Sequence, residues 1–131
     1  MIKAASVGVG WWSDELAKSI QGKSKKIKIV SCYSKNKKKR IDFSKKYKTH
    51  YHDSFKAILK DPKINAVILT TPHSLHAKHT IQALKHGKHV FVEKPMATKF
   101  LDAKKMYLMA KKYKKTLSVG HIEDTLGFLI L

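Results

Sequence analysis

Apolar and polar positions along the chain fall into blocks whose period alternates between that of a strand and that of a helix. Ile2 to Val9 reads as a short buried strand that runs out at Gly8-Val9-Gly10. Ser13 to about Gln21 predicts a helix, with Ser13 as N-cap, Asp14 and Glu15 in its first turn, and Gly22 as the stop. Lys26 to Tyr33 is rich in β-branched residues and alternates at first, which predicts a strand. Lys37 to Tyr47 carries Ile41, Phe43 and Tyr47 on a mostly basic helix, and Thr49 to His52 predicts a further short strand. Ser54 caps a helix holding Phe55, Ile58 and Leu59, closed by Asp61-Pro62.

The second half repeats the beat. Ala66 to Thr70 is a continuous apolar run, the mark of a strand covered on both faces. A helix follows from about Ser74 to His86 and stops at Gly87. Val90-Phe91-Val92 is the next buried strand; Thr98 caps a long helix with Leu101, Met106, Leu108 and Met109; Leu117 to Gly120 is the last strand. About six strands with intervening helices imply an α/β fold, a doubly wound parallel sheet with right-handed crossovers, in one domain over residues 1–121. Residues 122–131 then read as an apolar tail leading towards a domain that is absent.

Composition narrows the picture. A chain of 131 residues suits a single domain, and 43% hydrophobic residues with twelve aromatics supply a core. No apolar run approaches the ~18–20 residues of a membrane span, and the start of the chain does not read as a secretory signal. The lone Cys32 cannot form an internal disulfide, which fits a reducing cytoplasm. Charge is the unusual feature: 28 basic against 9 acidic residues give +19, and Arg40 is the only arginine. A lysine excess supplies non-specific attraction to anions more readily than base reading, which needs the guanidinium fork.

Candidate chemistry gathers at the predicted strand ends. Gly8-Val9-Gly10-Trp11-Trp12-Ser13 follows a strand and opens a helix, the context a dinucleotide fingerprint requires. Gly8 permits the tight turn, Gly10 lets backbone approach a pyrophosphate, and Ser13 replaces the third glycine with another small residue. Trp11 and Trp12 in this turn are candidates to cover a cofactor or to pack on the sheet. Asp14 and Glu15 suit the helix dipole but repel a phosphate. The second strand ends at Tyr33-Ser34-Lys35-Asn36 without an acid, and Lys37, Lys38, Lys39 and Arg40 follow. NAD sites place a carboxylate here, whereas NADP sites welcome cations, so Ser34 and Lys35 favour NADP, with NAD possible.

Two further strings, Thr70-Thr71-Pro72-His73-Ser74-Leu75-His76 and Gly87-Lys88-His89-Val90-Phe91-Val92-Glu93-Lys94-Pro95, complete a pattern with the glycine turn and Val119-Gly120-His121. Together they resemble the N-terminal Rossmann domain of the Gfo/Idh/MocA (glucose–fructose oxidoreductase / inositol dehydrogenase) family over residues 2–121. The resemblance implies NAD(P) binding and hydride transfer to or from a sugar, polyol or related small molecule. It assigns Lys94 as the catalytic lysine beside nicotinamide and substrate. Glu93 and Pro95 then shape that strand end, while Thr70, Thr71, Pro72 and His76 line the cofactor cleft. His73 departs from the family pattern, which has Asn there. The family's second domain, which supplies much of the substrate pocket, has no counterpart, so catalysis by this chain alone is doubtful. A homo-oligomer or a separate chain could supply it.

Other readings remain open. The groups His50/His52, His73/His76/His79 and His86/His89 have spacings that can bind metal, but no Cys cluster or carboxylate completes a set, and no metal site is assigned. The charge also suits a lysine-rich polyanion-binding module on the same scaffold, although no recognition motif for a specific nucleic acid is present, and no membrane partner is expected. A third reading is an inactive remnant whose Phe128–Leu131 tail drives self-association.

Overall fold

The computed structural model describes residues 1–120; His121 and the apolar tail expected over 122–131 lie outside the described residues. Five parallel strands stand in the order β2-β1-β3-β4-β5. In chain order they are β1 (Ile2–Val7), β2 (Ile27–Tyr33), β3 (Ala66–Leu69), β4 (His89–Val92) and β5 (Leu117–Val119). The helices are α1 (Trp11–Ile20), α2 (Lys37–Tyr47), α3 (Phe55–Lys60), α4 (His76–Lys85) and α5 (Phe100–Tyr113), with a 3₁₀ turn over His73–Leu75. Among the described residues, no helix is long and apolar enough to cross a membrane.

The strand period of two explains how the sheet is covered on both faces. Ala4, Ile68 and Phe91 point to the side where Leu16, Ala17 and Ile20 of α1 and Phe43 of α2 pack. Ala5, Val67, Leu69, Val90 and Val92 point to the side of α3, α4 and α5, against Ile58, Leu84, Met106 and Ala110. All four residues of β3 are buried, as its unbroken apolar run requires. The chain leaves β1 in one direction to reach β2 and later returns on its other side to enter β3. The β1/β3 boundary is therefore the topological switch point, and open α/β sheets bind ligands outside the carboxyl ends of strands at that point.

Several expected boundaries move. Among the described residues five strands form rather than six, because Thr49–His52 is a strap along the outer edge of β2 and not a strand. The amides of His50 and His52 donate to Val30 O and Cys32 O, while the hydroxyl of Thr49 donates to the His50 carbonyl. Ser13 is not the N-cap of α1. Gly10 caps it, and Ser13 sits buried in the first turn, where its Oγ accepts from Gly10 N (2.7 Å) and donates to Gly10 O (2.8 Å). Lys99, not Thr98, precedes α5, with no side-chain cap bond. Ser54 does cap α3, its side chain accepting from Ala57 N at 3.0 Å.

The Gly87-Lys88-His89 string has structural work of its own. The buried Lys88 ammonium donates to Asp61 O and Ile64 O at 2.7 and 2.6 Å, tying the α3–β3 loop to β4. Burial lowers its pKa, and two carbonyl acceptors keep the charge tolerable. Next to it, His89 Nδ1 accepts from Thr116 N at 3.0 Å and fastens the entry of β5.

Candidate functional site

At the carboxyl ends of β1, β2 and β3 lies a cleft of about 560 Å³. It is lined from β1 by Gly8 and Gly10, from β2 by Ser34 and Lys35, and from β3 by Thr70, Thr71 and Pro72. Seven of the residues singled out from sequence therefore meet in one hollow. Gly8 has φ of +87°, and a Cβ there would lie 3.0 Å from the Thr70 carbonyl carbon and oxygen. The turn is locked to β3 because Thr70 Oγ1 donates to Gly8 O at 2.9 Å. Gly10 differs: a Cβ there would meet nothing within 4 Å. The backbone is bare on that side, next to the amino end of α1, where a helix offers N–H groups and a positive dipole end to an anion.

The acid in the first turn of α1, Asp14, is turned to another use. Asp14 pairs with Lys46 at 2.9 Å and Lys18 at 3.3 Å, and it accepts from the Tyr47 hydroxyl of α2. Hydrogen bonds from Lys46 and Tyr47 hold its pKa down at about 2. Its negative charge is compensated and does not stand unopposed beside the glycine turn. Because the folded-state pKa lies below the unfolded value, this carboxylate stabilises the fold above about pH 4 and stops doing so as pH falls towards 2. Asp14→Asn is expected to cost about 1 kcal/mol at pH 6 after screening, and almost nothing near pH 2. Urea unfolding at stepped pH measures this, and a gap that does not shrink on acidification refutes it.

At the β2 end, Arg40 is committed to structure. Its guanidinium donates to Ser34 O at 3.0 Å, pairs with Asp53 at 3.3 Å, and lies over the rings of Tyr33 and Tyr51. It braces the loop that presents Lys35. The exposed Lys37, Lys38 and Lys39 begin α2 behind an Asn36 cap. No carboxylate is among the residues lining the cleft.

Sequence reasoning missed the fourth wall, made by Phe55, Leu75, Lys78 and His79. His79 packs against Phe55 with centroids 4.7 Å apart and the rings tilted by 54°, and its Nδ1 lies 3.3 Å from Thr71 Oγ1. Burial, with help from Lys78, His76 and Lys35, lowers its pKa. The spacing of Leu75, Lys78 and His79 just after Pro72, three and four apart, was the available signal. Phe55 comes from α3, and no local pattern ties it to Thr71.

The remaining candidates form a second group beside the cleft. Glu93, Lys94 and Pro95 follow β4, with Lys94 exposed and the Lys94–Pro95 peptide cis. Trp12 Nε1 donates to Glu93 Oε2 at 2.6 Å, joining the first turn of α1 to this segment. His76, expected to line the cleft, is instead fully buried behind it. Its Nε2 faces Thr71 O at 2.9 Å and its Nδ1 faces Pro95 O at 2.8 Å, so it clamps the β3 and β4 ends together. Trp11 is 74% exposed and lines a separate shallow hollow with Lys39 and Lys46. Among the described residues, no three His, Cys, Asp or Glu side chains gather in a way that could hold a metal ion.

Comparison with known proteins gives this arrangement a context. The family model described as an oxidoreductase family with an NAD-binding Rossmann fold matches residues 2–121. The chain is 32% identical over 122 residues to 2,7-anhydro-N-acetylneuraminate hydratase of Escherichia coli K12, covering 93% of this chain and 32% of that protein. It is 26% identical over 112 residues to the scyllo-inositol 2-dehydrogenase (NADP(+)) IolU of Bacillus subtilis, covering 85% and 34%. Among solved structures, biliverdin reductase from Synechocystis sp. PCC 6803, in complex with biliverdin and NADP+, superposes with a TM-score of 0.86 at 29% identity, over 95% of this chain and 39% of that one. The chain spans about a third of the length of the curated relatives it matches.

Proposed function

The chain belongs to the Gfo/Idh/MocA oxidoreductase family as its NAD-binding Rossmann domain, and from that premise we propose that its cleft takes NADP in preference to NAD and serves hydride transfer on a sugar, polyol or related small molecule. The observation that carries this reading is the convergence of Gly8, Gly10, Ser34, Lys35, Thr70 and Thr71 on one hollow at the switch point. The bare backbone at Gly10 leaves room for a pyrophosphate that a side chain there would fill. When bound, the nicotinamide would supply the hydride acceptor or donor.

The chain's own residues do the rest. The glycine turn and the amino end of α1 hold the pyrophosphate. Ser34 and Lys35 meet the adenosine ribose, where an ammonium without a neighbouring carboxylate favours a 2′-phosphate. Lys94 stands exposed at the end of β4 as the candidate catalytic group, able to stabilise developing oxyanion charge or hand over a proton. Glu93 and Pro95 are the anchored flanks that position it, through Trp12 and His76. Cytoplasmic placement fits the buried free thiol of Cys32, whose pKa burial pushes up to about 12. The comparisons give no support to the polyanion-binding alternative.

Calorimetric titration with NADPH, NADH and ATP at two salt concentrations tests the reading. NADPH is expected to bind in the micromolar range, ahead of NADH and ATP. Lys35→Glu is expected to cost about tenfold for NADPH, roughly 1.4 kcal/mol, while leaving NADH equal or better. Equal, weak and salt-erased binding of all three ligands would refute a dinucleotide site and leave only the positive field of the chain.

A further inference from the structure

Helix α5 turns the wrong residues outward for an ordinary solvated helix. Phe100, Leu101, Tyr107 and Leu108 are 80, 76, 56 and 51% exposed, while Met106 and Ala110 face the core. The exposed arc repeats every seven residues: Phe100 and Tyr107, Leu101 and Leu108, Lys104 and Lys111, Lys105 and Lys112. Around the arc the apolar pairs therefore alternate with rows of lysine, Lys104 and Lys111 standing between the aromatic pair and the leucine pair, along a helix about 21 Å long. All of these lysines are exposed, and Lys111 lies over the Tyr107 ring at 5.7 Å. Asp102, the one acid on α5, stands outside this arc. No role in the dinucleotide cleft uses this face.

Against the expectation from sequence that no membrane partner is involved, we propose that the outward face of α5 docks on an anionic lipid surface. Apolar tips interleaved with long cationic stems suit a helix resting on lipid headgroups: the rings and leucines enter between headgroups while the ammonium groups reach anionic phosphates. Charge complementarity selects this occupant. A second copy of the chain would bring the same lysine rows against themselves, at a net charge of +19 on each molecule. A partner helix would have only two heptads to grip, short of the three to four that a coiled coil sustains.

The test is co-sedimentation of the full chain with vesicles of phosphatidylcholine alone and of phosphatidylcholine mixed with phosphatidylserine. Binding is expected only to the mixed vesicles. The triple substitution Phe100→Ser, Leu101→Ser, Leu108→Ser keeps every charge and alters only exposed side chains, so the melting temperature should hold. It is expected to weaken vesicle binding about tenfold or more. Lys104→Gln with Lys105→Gln should weaken binding clearly more than Lys23→Gln with Lys25→Gln, which removes the same charge from the α1–β2 loop. The segment beyond residue 120 is the same in every variant. The proposal is overturned if the triple variant binds as the parent does, if the two lysine pairs are equivalent, or if the parent ignores phosphatidylserine. It is also overturned if sedimentation shows a dimer that only the triple variant dissolves.

Discussion

Gly8→Ala is expected to lower the melting temperature by about 10–15 °C and to abolish measurable NADPH binding. Two costs add. An L-residue in the left-handed region that Gly8 occupies, at φ +87°, loses ~1–2 kcal/mol. The new Cβ would also sit 3.0 Å from the backbone carbonyl of Thr70, which is not the yielding end of a side chain. Overpacking of that kind costs ~1–3 kcal/mol, because the end of β3 must move. The sum, about 3 kcal/mol, is a large share of the stability of a domain this size. Moving Thr70 also breaks its hydroxyl bond to Gly8 O and distorts the cleft floor. Scanning calorimetry measures the first effect and titration calorimetry the second. A loss below about 3 °C would show that the turn is not locked as described.

Gly10→Ala should do the reverse: near-native stability and a fall in NADPH affinity of about a hundredfold, roughly 2.7 kcal/mol. Gly10 has an extended backbone, φ −160°, that any residue adopts, and its Cβ would meet no protein atom. The folding cost is confined to replacing glycine by alanine at a helix N-cap, about 1 kcal/mol or less. Any methyl group at this point stands on bare backbone beside the amino end of α1, where a pyrophosphate has to come close. Unchanged affinity with unchanged stability would move the pyrophosphate away from this turn and remove the main support for the proposed cofactor pose. The two glycines lie two residues apart, yet a Cβ would collide with the Thr70 backbone at Gly8 and meet no protein atom at Gly10.

Much of this was legible in the chain. The unbroken apolar stretch Ala66–Leu69 marked a strand buried on both faces, and the glycine turn between a strand and a helix marked the end of the sheet where ligands bind. Other features were not legible, for separate reasons. Thr49–His52 has strand-like residues, but the Thr49 hydroxyl takes the His50 carbonyl and the segment becomes a strap. His76 has the spacing of a cleft residue, but its ring is drawn behind the wall by carbonyls from two loops. Asp14 looked hostile to a phosphate until α2 brought Lys46 and Tyr47 against it.

By itself, the sequence determined what depends on near neighbours: the alternation of strand and helix, the turn that only glycine can make at position 8, and the caps at Asn36 and Ser54. Those preferences are set within a few residues by φ/ψ sterics, periodicity and local hydrogen bonds. Tertiary structure decided which side chains meet. It set Phe55 of α3 against His79 of α4, joined Trp12 to Glu93 across the sheet end, spent Arg40 on bracing a loop, and left Phe100, Leu101, Tyr107 and Leu108 facing outward. These outcomes depend on how helices seat on a shared sheet, and so on packing between residues far apart in the chain, which no local pattern encodes.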